Sequence, residues 1–352
     1  MIIAYHFPFP ETLNAWRTVY NGYKHAFEDK GHDFHTFSGG EGIEKFLTRT
    51  KPDIFITSSH YFWRKQLDYE VIKKFRDSGM VVFVKIDFWS SPMNTNRINE
   101  AKSMKDDHKL VEMIKSGEIG DIFFHTVEQD DDRMAGFTKF TNKSFFTLPL
   151  AADKLSLVEK FDDKFKADIS FIGTNLPQKR EYFKKWLFPL KQKYDLKLYG
   201  QDWTQIDRIL GYTQKIGQFF DIGFLKNIRK PKLNITDEAK IYSSTKISVN
   251  LHEDFQRKYG GDCNERTFKI LACNGFEITD DVSCISRYFE EDKEIVVAHS
   301  KKEWFDKIEY YMKNEDERKK IAANGRLKVL RSHTYHNRVD TIIEQYDSFM
   351  EL

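Results

Sequence analysis

The sequence predicts an α/β protein of two tandem domains, each built around a parallel sheet. Short apolar runs alternate with helical patterns along the chain, and segments long enough to form crossovers separate most of the strands, as parallel neighbours require. The length of 352 residues fits two domains at roughly 150 residues each. The pattern restarts after Ala151-Ala152-Asp153, so we expect one domain over residues 1–153 and a second over residues 154–335.

In the first domain, short apolar runs bounded by polar or turn residues predict buried strands. These strands cover Met1–Tyr5, Pro52–Thr57, Val81–Ile86, Ile122–His125 and Phe145–Leu150. Apolar residues at spacings of three and four predict one face of a helix that ends at Gly31. They are Leu13, Trp16, Tyr20, Tyr23 and Phe27. Another helix is predicted around Tyr69–Asp77, before Gly79.

The second domain shows the same alternation. Its predicted strands are Asp168–Gly173, Leu196–Tyr199, Lys246–Leu251, Phe276–Thr279 and Glu294–Ala298. Its predicted helices are Gln178–Lys193, Glu265–Cys273, Lys302–Lys313 and Asp316–Leu330. A terminal helix is expected over about Asn337–Met350, within residues 336–352.

Composition excludes several classes of protein. With 40% hydrophobic and 31% charged residues, the chain is too apolar for a disordered protein and too charged for a membrane protein. The 56 basic and 54 acidic side chains nearly cancel, so we expect no nucleic-acid partner. Three cysteines without a paired C-x-x-C spacing predict free thiols in a reducing cytoplasm. No apolar run approaches the ~20 residues of a membrane span.

Ligands of such sheets bind at the carboxyl ends of the strands, which directs attention to the residues there. In the first half these include His60, Asp87 and His125. In the second half they include Gly173-Thr174, Tyr199-Gly200 and Asn250-Leu251-His252. Two domains in tandem would place both sets of strand ends on one cleft.

The segment Gly260–Lys269 is the strongest candidate for a phosphate site. It is rich in glycine and polar residues, and it leads from a strand into a predicted helix whose start favours an anion. Arg266 in the first turn would add a fork of hydrogen-bond donors. An ordinary loop, with Asn264 as the helix cap and Arg266 in a surface ion pair, fits the spacing equally well.

A second strand-to-helix turn, Gly173-Thr174-Asn175, is followed by the cations Lys179-Arg180. Its spacing matches neither a dinucleotide-binding turn nor a P-loop. A solvated turn before a lysine-rich helix is therefore the favoured interpretation.

Several of these motifs together resemble a known family. The motifs are Tyr199–Trp203, Lys246–His252, Cys263–Phe276, Arg318, Asn324-Gly325, His333-Thr334-Tyr335 with Arg338, and Ile169–Gly173 with Arg180. Over residues 168–340 they resemble the carboxyl-terminal domain of CgeB-like glycosyltransferases, the spore-maturation-protein-like branch of the GT-B superfamily. In the first half, Pro52-Asp53-Ile54 and Leu148–Asp153 fit the same layout.

The resemblance implies two Rossmann-like domains and transfer of a sugar from a nucleotide diphosphate donor, with UDP as the expected nucleotide. The second domain would bind the donor and the first the acceptor, a glycan, glycolipid or protein; the terminal helix would cross back to the first domain. The donor site would be formed by Gly173, Thr174, Arg180, Tyr199, Gly200, His252, Asn264, Glu265, Arg266 and Thr267. No cofactor is implied, and peripheral contact with a membrane is compatible with the sequence.

Two positions depart from the family pattern. Many relatives carry a glutamate where Lys269 stands; lysine accepts no hydrogen bond, so this role would be lost or would pass to Glu265. The loop Phe7–Glu11 lacks the glycines with which many relatives approach a diphosphate. A binding or scaffold protein without activity, and a sugar-nucleotide epimerase, are therefore the alternative functions.

Transfer with inversion needs a base for the acceptor hydroxyl, and Asp87 after the strand Val81–Ile86 is the first candidate. His60 and His125 are further candidates, although most of the eleven histidines are expected to be structural. Adjacent carboxylates are predicted to be solvated turns or caps, with no metal bound. These are Asp106-Asp107, Asp130–Asp132 and Asp280-Asp281.

Overall fold

A computed structural model describes residues 1–8, 16–89, 108–220, 222–226, 228–229 and 232–351. Leu13, the loop residues Phe9–Glu11 and the pair Asp106-Asp107 lie outside the described residues. The chain divides into two compact units. The first unit comprises residues 1–153, 259–262 and 335–352, and the second comprises residues 154–258 and 263–334.

The first unit alternates strands and helices. Its described strands are β1 (Ile2–His6), β2 (Asp33–Phe37), β3 (Ile54–Ser58), β4 (Val81–Lys85), β5 (Ile122–His125) and β6 (Phe146–Thr147). Its described helices are α1 (Trp16–Asp29), α2 (Ile43–Thr50), α3 (Tyr61–Arg64), α4 (Tyr69–Arg76), α5 (His108–Lys115), α6 (Ala135–Thr141) and, from the end of the chain, α16 (Tyr335–Met350).

In the part of the chain that is described, the strands of the first unit form one parallel sheet of six in the order β2-β1-β3-β4-β5-β6. Helices cover both faces, as parallel sheets require. One face is buried by α2, α4, α5 and α6, and the other by α1 and α16. A side chain at Gly22 of α1 would overlap the ring of Tyr335, since its Cβ would lie 2.1 Å from that ring.

The second unit follows the same plan. Its strands are β7 (Ala167–Ile172), β8 (Leu196–Tyr199), β9 (Thr245–Asn250), β10 (Glu277–Asp280) and β11 (Val296–Ala298). Its helices are α7 (Arg180–Trp186), α8 (Gln205–Phe219), α9 (Gly223–Lys226), α10 (Ile235–Ser244), α11 (Asp254–Tyr259), α12 (Arg266–Ala272), α13 (Ile285–Tyr288), α14 (Lys301–Lys313) and α15 (Glu315–Ser332).

Among the described residues these strands form a parallel sheet of five in the order β11-β10-β9-β7-β8. The chain leaves β7 toward β8 on one side and returns to β9 on the other, so the strand order reverses between β7 and β9. In the first unit the same reversal lies between β1 and β3. Such reversal points are where open α/β sheets bind ligands.

The predicted fold class is confirmed, although several helices, among them α2, α5, α8 and α10, were not predicted. The helix expected over Gln178–Lys193 is broken into α7 between two short 3-10 turns, Pro177–Lys179 and Phe188–Gln192. Pro189 explains the second break, because proline has no N–H to continue the helix. Strand β2 was not predicted, because its half-buried residues alternate polar and apolar side chains at the edge of the sheet.

The segment Tyr259–Asp262 belongs to the first unit, where a buried arginine binds it. The guanidinium of Arg133 bonds to the carboxylates of Asp131 and Asp262. Asp131 Oδ2 also accepts the backbone N–H of Gly261 at 2.9 Å, where a Cβ would lie 2.1 Å from the same oxygen. Glycine at 261 is therefore required for this close approach.

Candidate functional site

At the reversal point of the second unit, two cations converge on one carbonyl oxygen. Lys179 Nζ lies 3.1 Å and Arg266 Nη2 lies 2.9 Å from the carbonyl oxygen of Leu251, which follows the carboxyl end of β9. The carbonyl is neutral, and among the described residues Glu253, beside Lys179, is the one carboxylate in an ion pair with either cation, so two positive charges face one negative charge. The arrangement therefore favours an anion beside these side chains.

Lys179 is almost fully buried, and its only described carboxylate partner is Glu253, whose Oε1 lies 2.8 Å away. Burial, followed by the positive charge of Arg266, lowers the pKa of Lys179 from 10.5 to about 8, while Glu253 opposes the shift. An added anion would relieve the repulsion between the two cations and raise this pKa.

The guanidinium of Arg266 is held by several fixed groups. Its Nε donates to Asn250 Oδ1 at 3.0 Å, and its carbon lies 5.3 Å from the centre of the Phe171 ring. A Cβ at Gly173, after β7, would lie 3.2 Å from Nη1. The absence of a side chain at position 173 thus leaves room for the guanidinium at the end of the strand.

Asn250 is the centre of this hydrogen-bond network. Its Oδ1 accepts from Arg266 and from Asn264 Nδ2, and its Nδ2 donates to Thr267 Oγ1 and to Glu277 Oε1. All four bonds are 2.8–3.0 Å long. Because both ends of the amide are occupied, its orientation and that of Arg266 are fixed.

Glu277 brings an unused buried oxygen into the same network. The side chain is fully buried, and Oε2 has no hydrogen-bond partner among the described residues. Burial raises the pKa of Glu277 well above its usual range, although the bond from Asn250 opposes the shift. The protonated, neutral carboxyl is therefore favoured, and it does not cancel the charge of Arg266.

His252 is buried beside the carboxyl end of β10. Its Nδ1 lies 2.7 Å from Asp280 Oδ1, and its backbone N–H donates to the same carboxylate at 3.0 Å. Burial lowers the pKa of His252, against the opposing charge of Asp280, so the ring is neutral and donates its Nδ1 hydrogen. Nε2 has no partner in the described part of the chain and can accept a hydrogen.

The sequence left two interpretations of the start of α12 open: a phosphate site, or an ordinary loop with Asn264 as the cap and Arg266 in a surface ion pair. The structure agrees with each in part. Asn264 does bind the helix start, because its Oδ1 accepts the backbone N–H of Arg266, the first residue of α12, at 3.0 Å, although the N-cap position itself is Glu265. Arg266, however, is not in a surface ion pair; it is half-buried and bound to Asn250 and Leu251. The side chains therefore contribute more to an anion site here than the helix start does.

Lys269 is held inside the unit by two glutamates. It forms an ion pair with Glu238, and Glu265 Oε1 lies 3.7 Å from its Nζ. Burial alone would lower the pKa of Lys269, but Glu238 and Glu265 raise it overall. The Glu265 carboxylate thus faces Lys269. If Glu265 also binds a ligand, it must do so while it remains beside Lys269.

Two glycines bring the ends of β7 and β8 together. The N–H of Gly173 donates to the carbonyl of Tyr199 at 2.9 Å, and Trp203 Nε1 donates to the carbonyl of Gly173 at 2.9 Å. Gly200 has φ of +113°, and a Cβ there would lie 2.4 Å from the Gly173 oxygen. Neighbouring Thr174 is half-buried, and its carbonyl closes a turn to Leu176.

Lys179 and Arg180 are adjacent cations, but of these two described residues only Lys179 belongs to the buried hydrogen-bond network around Leu251. Arg180 begins α7, is half-buried, and its Nε has no hydrogen-bond partner among the described residues. Arg180 was the expected ligand residue, and Lys179 and Asn250 were not. Their signal in the sequence was position alone: one precedes the helix after β7, and the other ends β9.

In the first unit, the reversal point between β1 and β3 carries a neutral histidine. His6 Nδ1 lies 2.9 Å from Thr57 Oγ1, and Nε2 lies 3.1 Å from Gln66 Oε1. Burial lowers the pKa of His6 from 6.5 to about 4, although Gln66 opposes the shift. Both ring nitrogens are therefore engaged with uncharged neighbours.

Asp87 follows β4 and keeps one acceptor available. Its backbone N–H donates to Ser59 Oγ at 3.0 Å, and its Oδ1 accepts the N–H of Phe88 at 3.3 Å. Oδ2 is buried and has no hydrogen-bond partner among the residues described. This oxygen can accept a hydrogen from a hydroxyl group.

The two histidine candidates are placed differently. His125 ends β5, is buried, and accepts the N–H of Val127 through Nδ1 at 3.0 Å. Burial, then Lys85 and Arg133, lower the pKa of His125 well below its usual value. This environment favours a structural role. His60 is half-buried before α3, where its carbonyl accepts the N–H of Trp63 at 2.9 Å.

Carboxylates from two of the acidic sequence pairs are occupied by protein groups. Asp131 binds Arg133, and Asp280 binds His252 and Arg257. Within the described residues, no group of three or more metal-ligating side chains is placed to share an ion. None of the helices described there combines the length and hydrophobicity that crossing a bilayer requires.

Comparisons with known proteins agree with this architecture. Residues 179–344, slightly less than half of the chain, match a family described as glycosyl transferase-like. A search of curated protein sequences finds no significant match.

Solved structures of glycosyltransferases are similar over nearly the whole chain. An alpha-glucosyltransferase in complex with UDP-glucose and DNA containing an abasic site has 13% identity and a TM-score of 0.66, with 99% of each chain covered. Sucrose-phosphate synthase from Thermosynechococcus elongatus has 10% identity and a TM-score of 0.65, again with 99% of each chain covered.

The catalytic domain of starch synthase IV from Arabidopsis thaliana, bound to ADP and acarbose, has 10% identity and a TM-score of 0.61. The match covers all of this chain and 99% of that one. The chain therefore has the GT-B fold, with two parallel-sheet α/β domains.

Proposed function

We propose that this protein is a glycosyltransferase that moves a sugar from a nucleotide diphosphate sugar to an acceptor hydroxyl, within the CgeB-like branch. The observation that carries the proposal is the convergence of Lys179 and Arg266 on the Leu251 carbonyl. These residues stand at the reversal point of a GT-B fold, in the part of the chain that matches a glycosyl transferase-like family. A diphosphate would supply the negative charge that Glu253 alone does not provide for these two cations.

The same cations would assist the chemistry. When the bond between the sugar and the diphosphate breaks, negative charge grows on the departing phosphate oxygens. Positive groups that are already oriented stabilise this charge without reorganisation. Arg266 is oriented by Asn250, and Lys179 by Leu251 and Glu253. Because side chains provide the positive charge, we propose that transfer is metal-independent.

The remaining roles follow from the groups left available. In the second unit, His252 Nε2 and Glu277 Oε2 have no described partner and would bind hydroxyl groups of the donor. In the first unit, Asp87 Oδ2 would accept the hydrogen of the acceptor hydroxyl. UDP is the proposed nucleotide because one of the similar structures is a complex with UDP-glucose. The three buried free thiols fit a cytoplasmic location.

The proposal is tested by calorimetry with UDP, GDP, CDP, dTDP and ADP on the wild-type protein. We expect UDP to bind most tightly. Lys179→Met should weaken UDP binding by about tenfold or more, because a charge-assisted contact is lost. The matched control is Lys184→Met, on the exposed face of α7 next to Glu181. Failure of every nucleotide to bind, or equal effects of the two substitutions, would contradict the proposed donor site.

Analysis of the products then separates the functions. With UDP-glucose and UDP-N-acetylglucosamine as donors, a transferase forms a glycoside only when an acceptor is supplied. Conversion to an epimeric sugar nucleotide without acceptor would identify an epimerase. Tight UDP binding with no product from any donor would favour the scaffold alternative, which the pairing of Lys269 with Glu238 keeps open.

A further inference from the structure

Helix α8 of the second unit exposes a stripe of apolar residues and buries an aspartate on its opposite side. Ile206 is 71% and Phe219 is 77% exposed, and Ile209 and Ile216 between them are also exposed. Asp207 and Gly211, on the opposite side, are buried. Surface helices of globular proteins normally have the reverse arrangement.

Ion pairs join the buried side of α8, and Asp202 just before it, to the segment that follows α9. Asp207 is paired with Lys232, and Arg229 Nη2 lies 2.8 Å from Asp202 Oδ1. Gly211 lets the Arg229 guanidinium approach, since a Cβ there would lie 2.8 Å from Nη1. The pair of Asp207 with Lys232 keeps this side of the helix turned toward that segment. The outward direction of the apolar side is therefore part of the fold.

The following turn and helix extend the same surface. Phe220 and, on α9, Phe224 are exposed, and α9 contacts α8. We define the α8–α9 face by its seven exposed apolar residues, which are Ile206, Ile209, Tyr212, Ile216, Phe219, Phe220 and Phe224. A continuous exposed surface of this size marks an interaction site.

The charge of this region indicates the partner. Residues 202–232, which include both members of each ion pair, carry six basic and three acidic side chains, a net charge of +3. The described exposed residues of α8 include Lys215 but no carboxylate. Self-association around a two-fold axis would bring two segments of charge +3 together, which opposes a dimer through this face. An anionic surface is attracted by the same charge.

We propose that the α8–α9 face binds anionic lipid bilayers, with both helices lying in the plane of the interface. Apolar side chains would enter the boundary between headgroups and acyl chains, and basic side chains would contact anionic headgroups. The proposal is independent of the donor site and of the proposed sugar transfer.

The test is co-sedimentation of the full chain with vesicles of phosphatidylcholine, alone or with about one third phosphatidylglycerol. We expect binding to the anionic vesicles that falls at high salt. Phe219→Ser with Phe224→Ser should lower the partition coefficient by about tenfold or more. The control is Leu327→Ser with Leu330→Ser, two exposed leucines of α15 in the same unit.

Thermal unfolding of both double variants should match the wild type, because the substituted side chains are exposed. The proposal is overturned if the wild type does not bind anionic vesicles, or if the phenylalanine variant binds them as well as the leucine control. It is also overturned if light scattering shows a wild-type dimer that only the phenylalanine substitutions dissociate. In that case a second copy of the chain occupies the face.

Discussion

The carboxyl edges of the two sheets share a topology and differ in charge. Each sheet reverses its strand order once, between β1 and β3 in the first unit and between β7 and β9 in the second. At the first reversal, both ring nitrogens of neutral His6 contact uncharged side chains. At the second, Lys179 and Arg266 share one carbonyl. Topology thus selects where a ligand binds, while a few side chains select its chemical class.

The largest effect is expected when one of the two converging cations of the second unit, Arg266, is removed. Arg266→Ala should abolish detectable transfer and weaken UDP binding by about 2 kcal/mol or more, because charge-assisted bonds to a phosphate are lost. Calorimetry and a product assay measure the two quantities. Arg266→Lys keeps the positive charge but loses the forked donor geometry of the guanidinium. Its UDP affinity and turnover should lie between those of the wild type and of Arg266→Ala. Wild-type turnover in Arg266→Ala would remove this residue from the site.

The next effect concerns the first unit alone. Asp87→Asn should lower turnover by about 100-fold or more, since a positioned base contributes at least that factor. Its donor affinity should stay unchanged, because the altered oxygen belongs to the proposed acceptor side. Steady-state kinetics with calorimetry checks both numbers. A variant that turns over at the wild-type rate would show that another group receives the proton.

The third prediction compares glycines of the two units. Gly200→Ala should lower the free energy of unfolding by about 2 kcal/mol or more, since the backbone is left-handed and the Cβ would meet the Gly173 oxygen. Gly40→Ala, in the first unit, has no atom within 4 Å of the added Cβ and should be nearly neutral. Denaturant unfolding measures both. Equal stability of the two variants would contradict the close approach of β7 and β8.

The smallest effect is a pH dependence that only the second unit should show. With a pKa of about 8 in the folded protein, Lys179 loses its charge as pH rises from 7 to 9, and UDP affinity should fall by up to about tenfold per pH unit above the pKa. Lys179→Arg, which stays charged, should bind UDP with a flat profile across this range. Parallel pH profiles in the two proteins would rule out Lys179 as the titrating group.

The lowered pKa of Lys179 affects the free energy of unfolding in the opposite direction to its effect on UDP affinity. The pKa of Lys179 is 10.5 before folding and about 8 after it. Between these values the unfolded chain binds more protons than the folded protein. The contribution of Lys179 to the free energy of unfolding therefore rises with pH across this window, while ligand affinity falls.

Buried apolar runs made the fold class and most strands predictable from the sequence. Residues 54–56 and 81–84 are continuous hydrophobic runs in the middle of a sheet, where both faces are covered. Edge strand β2 has no such run, because one side of it is only partly buried. Helix α8 was not predicted, although Ile206, Ile209, Tyr212, Ile216 and Phe219 recur at the spacings of three and four that predicted α1.

The location of the candidate site could be predicted from the sequence, but the hydrogen bonds and ion pairs between its side chains could not. Strand ends and the polar start of α12 pointed to Gly173, His252 and Arg266. The sequence cannot distinguish Lys179 from Arg180, because the 3-10 turn that directs one of them inward depends on local geometry. Asn250 and Glu277 are far apart along the chain, and only the pairing of β9 with β10 brings the amide to the carboxyl.

The first unit contains α16, which is far from the rest of the unit along the chain, and this has a consequence for biosynthesis. Tyr335 lies against Gly22, His336 Nε2 lies 2.8 Å from Asp29 Oδ2, and Arg338 Nε donates to the carbonyl of Pro149. A nascent chain that has not yet reached these residues covers this face of the sheet with α1 alone and leaves the part beneath α16 exposed on the ribosome. Completion of the amino-terminal lobe therefore waits for translation of the last helix, and chaperones are expected to bind any shorter product.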